Sequence, residues 1–248
     1  MTGHGPLLGD VLRLADDPQL KEWGTAVLDG EPIAGIGDVS GAVYDLVNAS
    51  LGDQPRIHPD AYVSPLANVQ DDVVIGPGTR VHEYSTVRGR TVISGDVHIG
   101  YGCEISRSVI GQGSILSHRA TIGCALIGRD TYFATDLVIG VCVLSNPDML
   151  HPSKPVAFAL PNGGRMSTGQ PKWGAIVGDG VRAGVRVTLG PGAIVGAGST
   201  LHANVNVPTA WIPPGSTLRP ARTDFQITPS HAPAQGGPAC STSLTVST

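Results

Sequence analysis

Aliphatic residues recur at every sixth position through a long central stretch of the chain. The series runs without a break through Ile57, Val63, Val69, Ile75, Val81, Val87, Ile93, Ile99 and Ile105. Glycine, proline and small polar residues fill most of the positions between them. A period of six matches neither a helix nor an alternating strand, and it is the spacing of hexapeptide β-helix repeats. The pattern therefore predicts an all-β solenoid, in which each hexad forms one short strand and one turn and three hexads close a coil.

The period slips after Ile105 and later returns. Two steps of five residues occur where a corner is one residue short, and the series from Val177 to Val207 restores the period of six. Between these parts lies a long interruption, residues 145–172, that contains several proline and glycine pairs. Long insertions in regular folds are usually functional or serve assembly, and a disordered excursion is the alternative.

The two ends of the chain do not follow the hexad pattern. Three N-terminal stretches have helix-like apolar spacing: Leu8 to Leu14, Leu20 to Val27 and Val39 to Leu51. We expect residues 1–54 to form a small helical cap that closes the open N-terminal end of the β-helix, residues 55–218, because such ends otherwise expose unpaired strand edges. Residues 219–248 are rich in proline, serine, threonine and alanine, which predicts a flexible C-terminal tail.

Composition narrows the classes of function. The formal charge is −4 at pH 7, so no basic face is expected and nucleic acid is a poor candidate partner. No apolar run approaches the roughly 20 residues that span a bilayer. The four cysteines lack CxxC spacing and no secretory signal precedes them, which favours reduced thiols and a cytoplasmic location.

Residues 55–210 resemble the left-handed β-helix acyltransferases. They are most similar to the acetyltransferase half of bifunctional N-acetylglucosamine-1-phosphate uridyltransferases and of related archaeal sugar-phosphate nucleotidyltransferases. The specific likeness lies in Val87-Arg-Gly-Arg-Thr-Val-Ile, in Ser114-Ile-Leu-Ser-His-Arg-Ala-Thr-Ile-Gly with the following Leu126-Ile-Gly-Arg-Asp, and in Lys172-Trp-Gly-Ala-Ile-Val-Gly-Asp-Gly-Val-Arg-Ala-Gly. The resemblance implies a left-handed parallel β-helix, a homotrimer with sites between neighbouring subunits, and coenzyme A or acetyl-CoA as cosubstrate.

The same resemblance assigns roles to individual residues. His118 stands in the segment of the catalytic histidine, and a neutral imidazole suits a general base that frees an attacking amine. Arg88 stands where the family binds an acceptor phosphate, and Arg90 or Arg107 could assist it. The family's coenzyme A groove corresponds to five positions along the C-terminal coils: Gly184, Val185, Gly196, Ala197 and Arg219, the last of which, or Arg222, could meet the phosphates.

Several acceptor-binding residues of the family are replaced. Ser106 stands in place of a lysine, Thr121 in place of a tyrosine, and Tyr132 in place of an asparagine. Together with Asp136 and Asn146, these residues could shape a different pocket. We therefore expect an acyl-CoA-dependent N-acyltransferase, with acetyl as the first candidate acyl group, whose small-molecule amine acceptor is an amino sugar, a sugar phosphate or a nucleotide-linked amino sugar.

Two other functions stay open on the sequence. The changed acceptor residues equally allow a repurposed lyase or cyclase, or a scaffold without catalysis, that uses the former acceptor cleft. A zinc enzyme like the γ-class carbonic anhydrases is less favoured. His82 and His118 have the spacing of two of its ligands, but Gly123 occupies the position of the third.

Overall fold

The structure is a computed structural model that describes residues 6–33 and 37–221. From residue 222 onward the predicted flexible tail, with Arg222, lies outside the described residues, as do residues 1–5 and 34–36.

Short parallel strands wind around a common axis and form three sheets, which we call the first, second and third sheet in the order that the chain visits them. The first holds β1 (Tyr62–Val63), β4 (Arg80–Val81), β7 (His98–Ile99), β10 (Ile115–Leu116), β13 (Tyr132–Phe133), β18 (Arg182–Ala183), β21 (Thr200–Leu201) and β24 (Thr217–Leu218). The second holds β2 (Asn68–Val69), β5 (Thr86–Arg88), β8 (Glu104–Ser106), β11 (Thr121–Gly123), β14 (Val138–Ile139), β19 (Thr188–Leu189) and β22 (Asn206–Val207). The third holds β3 (Val74–Ile75), β6 (Val92–Ile93), β9 (Val109–Ile110), β12 (Leu126–Ile127), β17 (Ala175–Val177), β20 (Ala193–Val195) and β23 (Trp211–Ile212).

The hexad residues line the inside of this prism. Val81 pairs with Ile99 in the first sheet, Val87 with Ile105 in the second, and all four are fully buried. The five-residue steps fall at corners between the second and third sheets, where Arg107 adopts a positive φ of 46°. The prediction of a left-handed parallel β-helix of hexapeptide repeats is confirmed.

The N-terminal segment is helical but does not sit where we expected. Its described residues form three 3₁₀ turns (Leu8–Asp10, Leu14–Asp16 and Thr25–Gly30) and two α-helices, α1 (Pro18–Glu22) and α2 (Val39–Leu51). Its apolar side chains pack against the outer face of the third sheet, along the column Val74, Val92, Val109, Leu126, Ile176 and Ile194. Ile57, in the first coil, stays 40% exposed. The expected position over the N-terminal end was therefore wrong, because an apolar column along the side of the prism offers far more surface to bury.

Polar contacts fix this segment to the prism. The carboxylate of Asp17, 2% exposed, accepts hydrogen bonds from Ser94 Oγ at 2.8 Å and from the backbone N–H of Gln112 at 2.7 Å. Farther along, Arg90 forms an ion pair with Asp45 of α2. Arg90, which we considered as an anion-binding residue, therefore holds a helix in place.

The insertion after β14 also packs on the third sheet. It contains an antiparallel hairpin, β15 (Ala157–Ala159) and β16 (Arg165–Ser167). Val156, Phe158 and Trp173 are buried in the same cluster as the N-terminal segment. The third sheet is thus covered by the chain itself, while residues 6–33 and 37–221 leave the outer faces of the first and second sheets exposed.

Candidate active site

The corners that join the first sheet to the second stack into one continuous edge, which we call the first–second edge. Its corners are Ser64–Ala67, His82–Ser85, Gly100–Cys103, Ser117–Ala120, Ala134–Leu137, Gly184–Val187 and His202–Val205. Backbone hydrogen bonds tie each corner to the next: Arg119 N donates to Tyr101 O at 2.9 Å, and Asp136 N donates to His118 O at 3.1 Å. The backbone of His118 is thereby held from the coil below and the coil above.

The imidazole of His118 lies exposed at the middle of this edge. Its Nδ1 accepts a hydrogen bond from the backbone N–H of Tyr101, with the two nitrogens 3.2 Å apart. Close stacking of the coils makes this contact possible. A Cβ atom on Gly100 would lie 1.4 Å from Ser117 O and 2.9 Å from Nδ1 of His118, so only glycine fits there.

Above His118, the edge carries an ion pair. The guanidinium of Arg119 donates to both carboxylate oxygens of Asp136, at 2.8 and 3.2 Å. These hydrogen bonds, together with the charge of Arg119, hold the pKa of Asp136 below its usual value. Asp136, predicted as a substrate contact, therefore lies next to His118 as a carboxylate that is already paired with its neighbour.

Below His118, the edge is aromatic. The rings of Tyr84 and Tyr101 meet edge to face with centroids 5.4 Å apart, and they are 61% and 49% exposed. Tyr84 has a positive φ of 59°, which is unusual for a bulky side chain. Large exposed side chains at this height give the edge a surface suited to a ring-shaped or apolar group.

Two more histidines lie on the first-sheet side of the edge. The rings of His82 and His98 are 4.6 Å apart. Burial lowers the pKa of His98, and the nearby charges of His82, Arg80 and His118 lower it further. No group of three histidine, cysteine or acidic side chains in the described part of one chain converges as metal ligands, and the alternative of a zinc site shared between subunits stays a prediction.

The structure brings six predicted site residues besides His118 to this edge or beside it. Asp136, Gly184 and Val185 are corner residues of the edge; Arg219 directly follows β24, the last strand of the first sheet; and Tyr132 and Thr121 point outward from the strands that flank the edge. These positions were predicted from separate parts of the sequence, and the coils stack them into one surface.

The other predicted residues lie elsewhere. Arg88 and Ser106 end their strands at the far side of the second sheet, where the guanidinium of Arg88 is ion-paired with Glu104 at 2.7 Å. Arg107 lines a cavity of about 100 Å³ at the next edge, beside Lys172. Gly196 and Ala197 belong to a corner between the third and first sheets. The resemblance predicts one groove that joins them to Gly184 and Val185, but the structure places the two pairs on different edges.

Asn146 lies in the insertion and is 7% exposed. Its Oδ1 accepts from the backbone N–H groups of Ser153 and Lys154 at 2.9 and 2.7 Å, and its Nδ2 donates to Val143 O at 2.9 Å. The carboxamide is thus fully used in holding the loop together, and the structure does not bring it to the first–second edge.

Sequence reasoning missed several residues of the candidate site: Tyr84, Arg119 and, in the coil below the histidine, Gly100 and Tyr101. Gly100 and Tyr101 are the two that contact His118 most closely. Both matter because they stand one coil below His118, at a separation of 18 and 17 positions along the chain. A search for residues about one coil away from the histidine could have found them. The hexad pattern by itself indicates only that Gly100 occupies a tight corner.

Comparison with known proteins places this fold among named relatives. A family model described as the GMPPB C-terminal domain matches residues 52–155. The bifunctional protein GlmU of Methylococcus capsulatus is 40% identical over 90 residues, 32% of this chain and 20% of that protein. The bifunctional sugar-1-phosphate nucleotidylyltransferase/acetyltransferase of Sulfurisphaera tokodaii is 28% identical over 167 residues, 67% of this chain and 38% of that protein. The chain therefore spans well under half the length of these relatives.

Solved structures with a similar course of the chain include LpxA from Acinetobacter baumannii, with a TM-score of 0.42 and 15% identity over 66% of this chain and 67% of that one. Another is AntD, an N-acyltransferase from Bacillus cereus solved with dTDP and 3-hydroxybutyryl-CoA, with a TM-score of 0.35 and 15% identity over 62% of this chain and 73% of that one. The resemblance of this chain to the left-handed β-helix, hexapeptide-repeat acyltransferases and to the bifunctional GlmU proteins is confirmed.

Proposed function

We propose that this protein is an acyl-CoA-dependent acyltransferase whose reaction takes place at His118 on the first–second edge. The observation that carries the proposal is the exposed imidazole of His118, held by a backbone hydrogen bond at the middle of a continuous edge, within the segment that resembles the family's catalytic histidine. The acceptor is an amine of an amino sugar, a sugar phosphate or a nucleotide-linked amino sugar. The relative from Sulfurisphaera tokodaii is named as a sugar-1-phosphate nucleotidylyltransferase and an acetyltransferase, which supports this class.

Coenzyme A would lie along the edge above His118. The corner at Gly184 carries no side chain and Val185 is 41% exposed, so a thin pantetheine chain could approach the backbone there. Arg219 stands at the end of the same edge, four strand spacings above β10 in the first sheet. At about 4.8 Å per spacing this amounts to about 19 Å, which puts the guanidinium at a height suited to the phosphates of the cosubstrate.

The acceptor would approach from the other side of His118. Tyr84 and Tyr101 form an aromatic surface directly below the imidazole, and Thr121 and Tyr132 flank it on the two neighbouring sheets. An amino sugar carries both polar hydroxyls and apolar C–H faces, and tyrosine side chains can meet both. The family's phosphate-binding arginine corresponds to Arg88, whose pairing with Glu104 an acceptor phosphate would have to displace.

Self-association would complete the site. The outer faces of the first and second sheets are not covered by the described residues, and large apolar side chains stand exposed on them: Tyr62, Ile115, Tyr132 and Val138 are each between 40% and 43% exposed. Burial of such side chains favours contact with another subunit. We propose a homotrimer in which a neighbouring subunit packs beside each first–second edge.

The test is acyl transfer by the purified chain. Acetyl-CoA is mixed with a panel of amino sugars, their phosphates and nucleotide-linked amino sugars, and release of free thiol is followed together with the mass of the acylated product. We expect turnover with at least one acceptor, and a loss of at least about 10²-fold in His118→Ala, which is the lower figure both for a general base and for an oxyanion donor. Absence of thiol release with every acceptor, together with absence of coenzyme A binding by calorimetry, would favour the lyase or scaffold alternative instead.

A further inference from the structure

The chemical role of His118 depends on which ring nitrogen carries the proton. Nδ1 lies 3.2 Å from the backbone nitrogen of Tyr101, in a geometry that satisfies a hydrogen bond. A backbone N–H can only donate, so Nδ1 must accept. The neutral imidazole therefore carries its proton on the other nitrogen, Nε2.

The surrounding corner explains why this contact is a fixed part of the fold. In the same corner, Gly100 N donates to Leu116 O at 2.7 Å and Gly102 N donates to Glu83 O at 3.0 Å. The N–H of Tyr101 lies between these two, and among the described residues Nδ1 of His118 is its hydrogen-bond acceptor. This one hydrogen bond therefore gives the Tyr101 N–H its acceptor and at the same time fixes the orientation of the His118 ring.

Gly100 makes the approach possible. A side chain at this position would overlap Ser117 O and press on Nδ1 of His118, since its Cβ would lie 1.4 and 2.9 Å from these atoms. The neighbouring coils can therefore bring the Tyr101 amide to the ring only with glycine at this position. Asp136 N fixes the opposite side of the same residue through His118 O, at 3.1 Å.

We infer that His118 enters the reaction as a hydrogen-bond donor through Nε2–H, with the Tyr101 amide as the positioning group, rather than as the base that takes the proton of the amine. The inference rests on the proposed function. A base at Nε2 would need the proton on Nδ1, where it would face the N–H of Tyr101 and leave both donors without an acceptor. The observed hydrogen bond disfavours that form.

The step balances without a protein base. The lone pair of the neutral amine attacks the thioester carbonyl carbon, and the carbonyl electron pair moves onto oxygen, where Nε2–H of His118 donates a hydrogen bond to the developing oxyanion. The oxyanion re-forms the carbonyl as the carbon–sulfur bond breaks and its electron pair leaves on sulfur. The proton lost by nitrogen is taken up by the thiolate through solvent, so that the products are an amide and free coenzyme A.

The first experiment compares His118→Gln with His118→Ala, because the glutamine amide can donate a hydrogen bond but cannot act as a base near neutral pH. We expect His118→Gln to keep transfer within about 10-fold of the unmodified chain, while His118→Ala loses about 10²–10³-fold, the usual cost of removing one oxyanion donor. His151→Gln, on the exposed insertion, is the matched control and should leave the rate unchanged. If His118→Gln falls to the level of His118→Ala, the donor role is overturned and the base role stands.

The second experiment reads the proton position without any turnover. Two-dimensional ¹⁵N–¹H spectra of the ¹⁵N-labelled, full-length chain distinguish the two neutral tautomers of a histidine ring, and the His118→Gln spectrum identifies the signals of His118. The proton is expected on Nε2, and a proton on Nδ1 would refute the inference. This readout needs no acceptor, so the two tests can fail separately. Absence of acyl transfer would refute the proposed function, whereas the spectra alone would still show which ring nitrogen carries the proton.

Discussion

Replacement of Asp17 by alanine should weaken the attachment of the N-terminal segment to the prism by more than the loss of one small side chain suggests. The carboxylate accepts four hydrogen bonds. Two come from the backbone of α1, Gln19 N and Leu20 N, each at 3.0 Å, and two come from the β-helix, Ser94 Oγ at 2.8 Å and Gln112 N at 2.7 Å. One buried side chain therefore serves both as the N-cap of a helix and as its attachment to the prism.

The magnitude follows from these contacts. Loss of an aspartate N-cap costs about 1 kcal/mol. The Gln112 N–H and the Ser94 hydroxyl would lose their charged acceptor in a buried place, at about 1–2 kcal/mol each. We therefore expect Asp17→Ala to lower the free energy of unfolding by about 3–5 kcal/mol. Asp17→Asn keeps one acceptor oxygen, so its free energy of unfolding should lie between those of Asp17→Ala and the unmodified chain.

Urea unfolding followed by circular dichroism measures this difference, with limited proteolysis reporting which part opens first. Asp16→Ala is the matched control, because it removes the neighbouring carboxylate from an exposed position. The N-terminal segment should be cleaved before the β-helix in Asp17→Ala. If Asp17→Ala loses less than about 1 kcal/mol and behaves like Asp16→Ala, the apolar column alone holds the segment and the reasoning about Asp17 fails.

Three further outcomes are expected. Gly100→Ala should reduce acyl transfer at least about 10-fold and destabilise the fold, since its Cβ would overlap Ser117 O. Gly30→Ala is the control and should do neither, because a Cβ at Gly30 meets no atom within 4 Å. Equal rates of acyl transfer in the two variants would contradict the close stacking at His118. Ile115→Glu, on the open face of the first sheet, should shift the protein from trimer to monomer in light scattering, and an unchanged trimer would place the interface elsewhere. The pKa of His98 is lowered in the folded state, so the unfolded chain binds a proton at this residue more readily, and the free energy of unfolding should fall as pH decreases below 6.5. His98→Gln should weaken this pH dependence in urea titrations at several pH values. The same dependence in His98→Gln and in the unmodified chain would show that His98 is not its source.

The fold could be predicted because its core repeats at the level of sequence. Each inward residue, such as Val87 or Ile99, has the same surroundings as the residue one coil away, so a short-range pattern specifies a long-range structure. The position of the N-terminal segment could have been predicted in the same way. Strands of the third sheet carry an aliphatic residue just before the inward one, as in Val74-Ile75 and Val92-Ile93, and this second column marks a face that needs a cover.

The candidate site was predictable only in part. The segment around His118 identified the histidine, because its resemblance to the family extends over neighbouring residues. Its hydrogen bond to Tyr101 depends on how closely two coils approach, and no pattern within one coil contains that distance. Gly196 was grouped with Gly184 because both are small residues of C-terminal coils, whereas the edge that each occupies is set by its position within the coil.

The strict division between inward and outward positions has a consequence for how such a protein can change during evolution. Tyr84, Tyr101 and Val185 contribute exposed side chains to the outer edge, whereas the hexad residues and some buried corner residues, such as Cys103 and Leu137, fill the packed interior. A substitution at such an exposed position can alter what the edge binds while leaving the packing of every coil intact. Gly100 and Gly184 are different, because a Cβ atom at either position would overlap backbone atoms of the next coil. What the edge binds can therefore change one coil at a time while the packed interior, and with it the stability of the fold, stays the same.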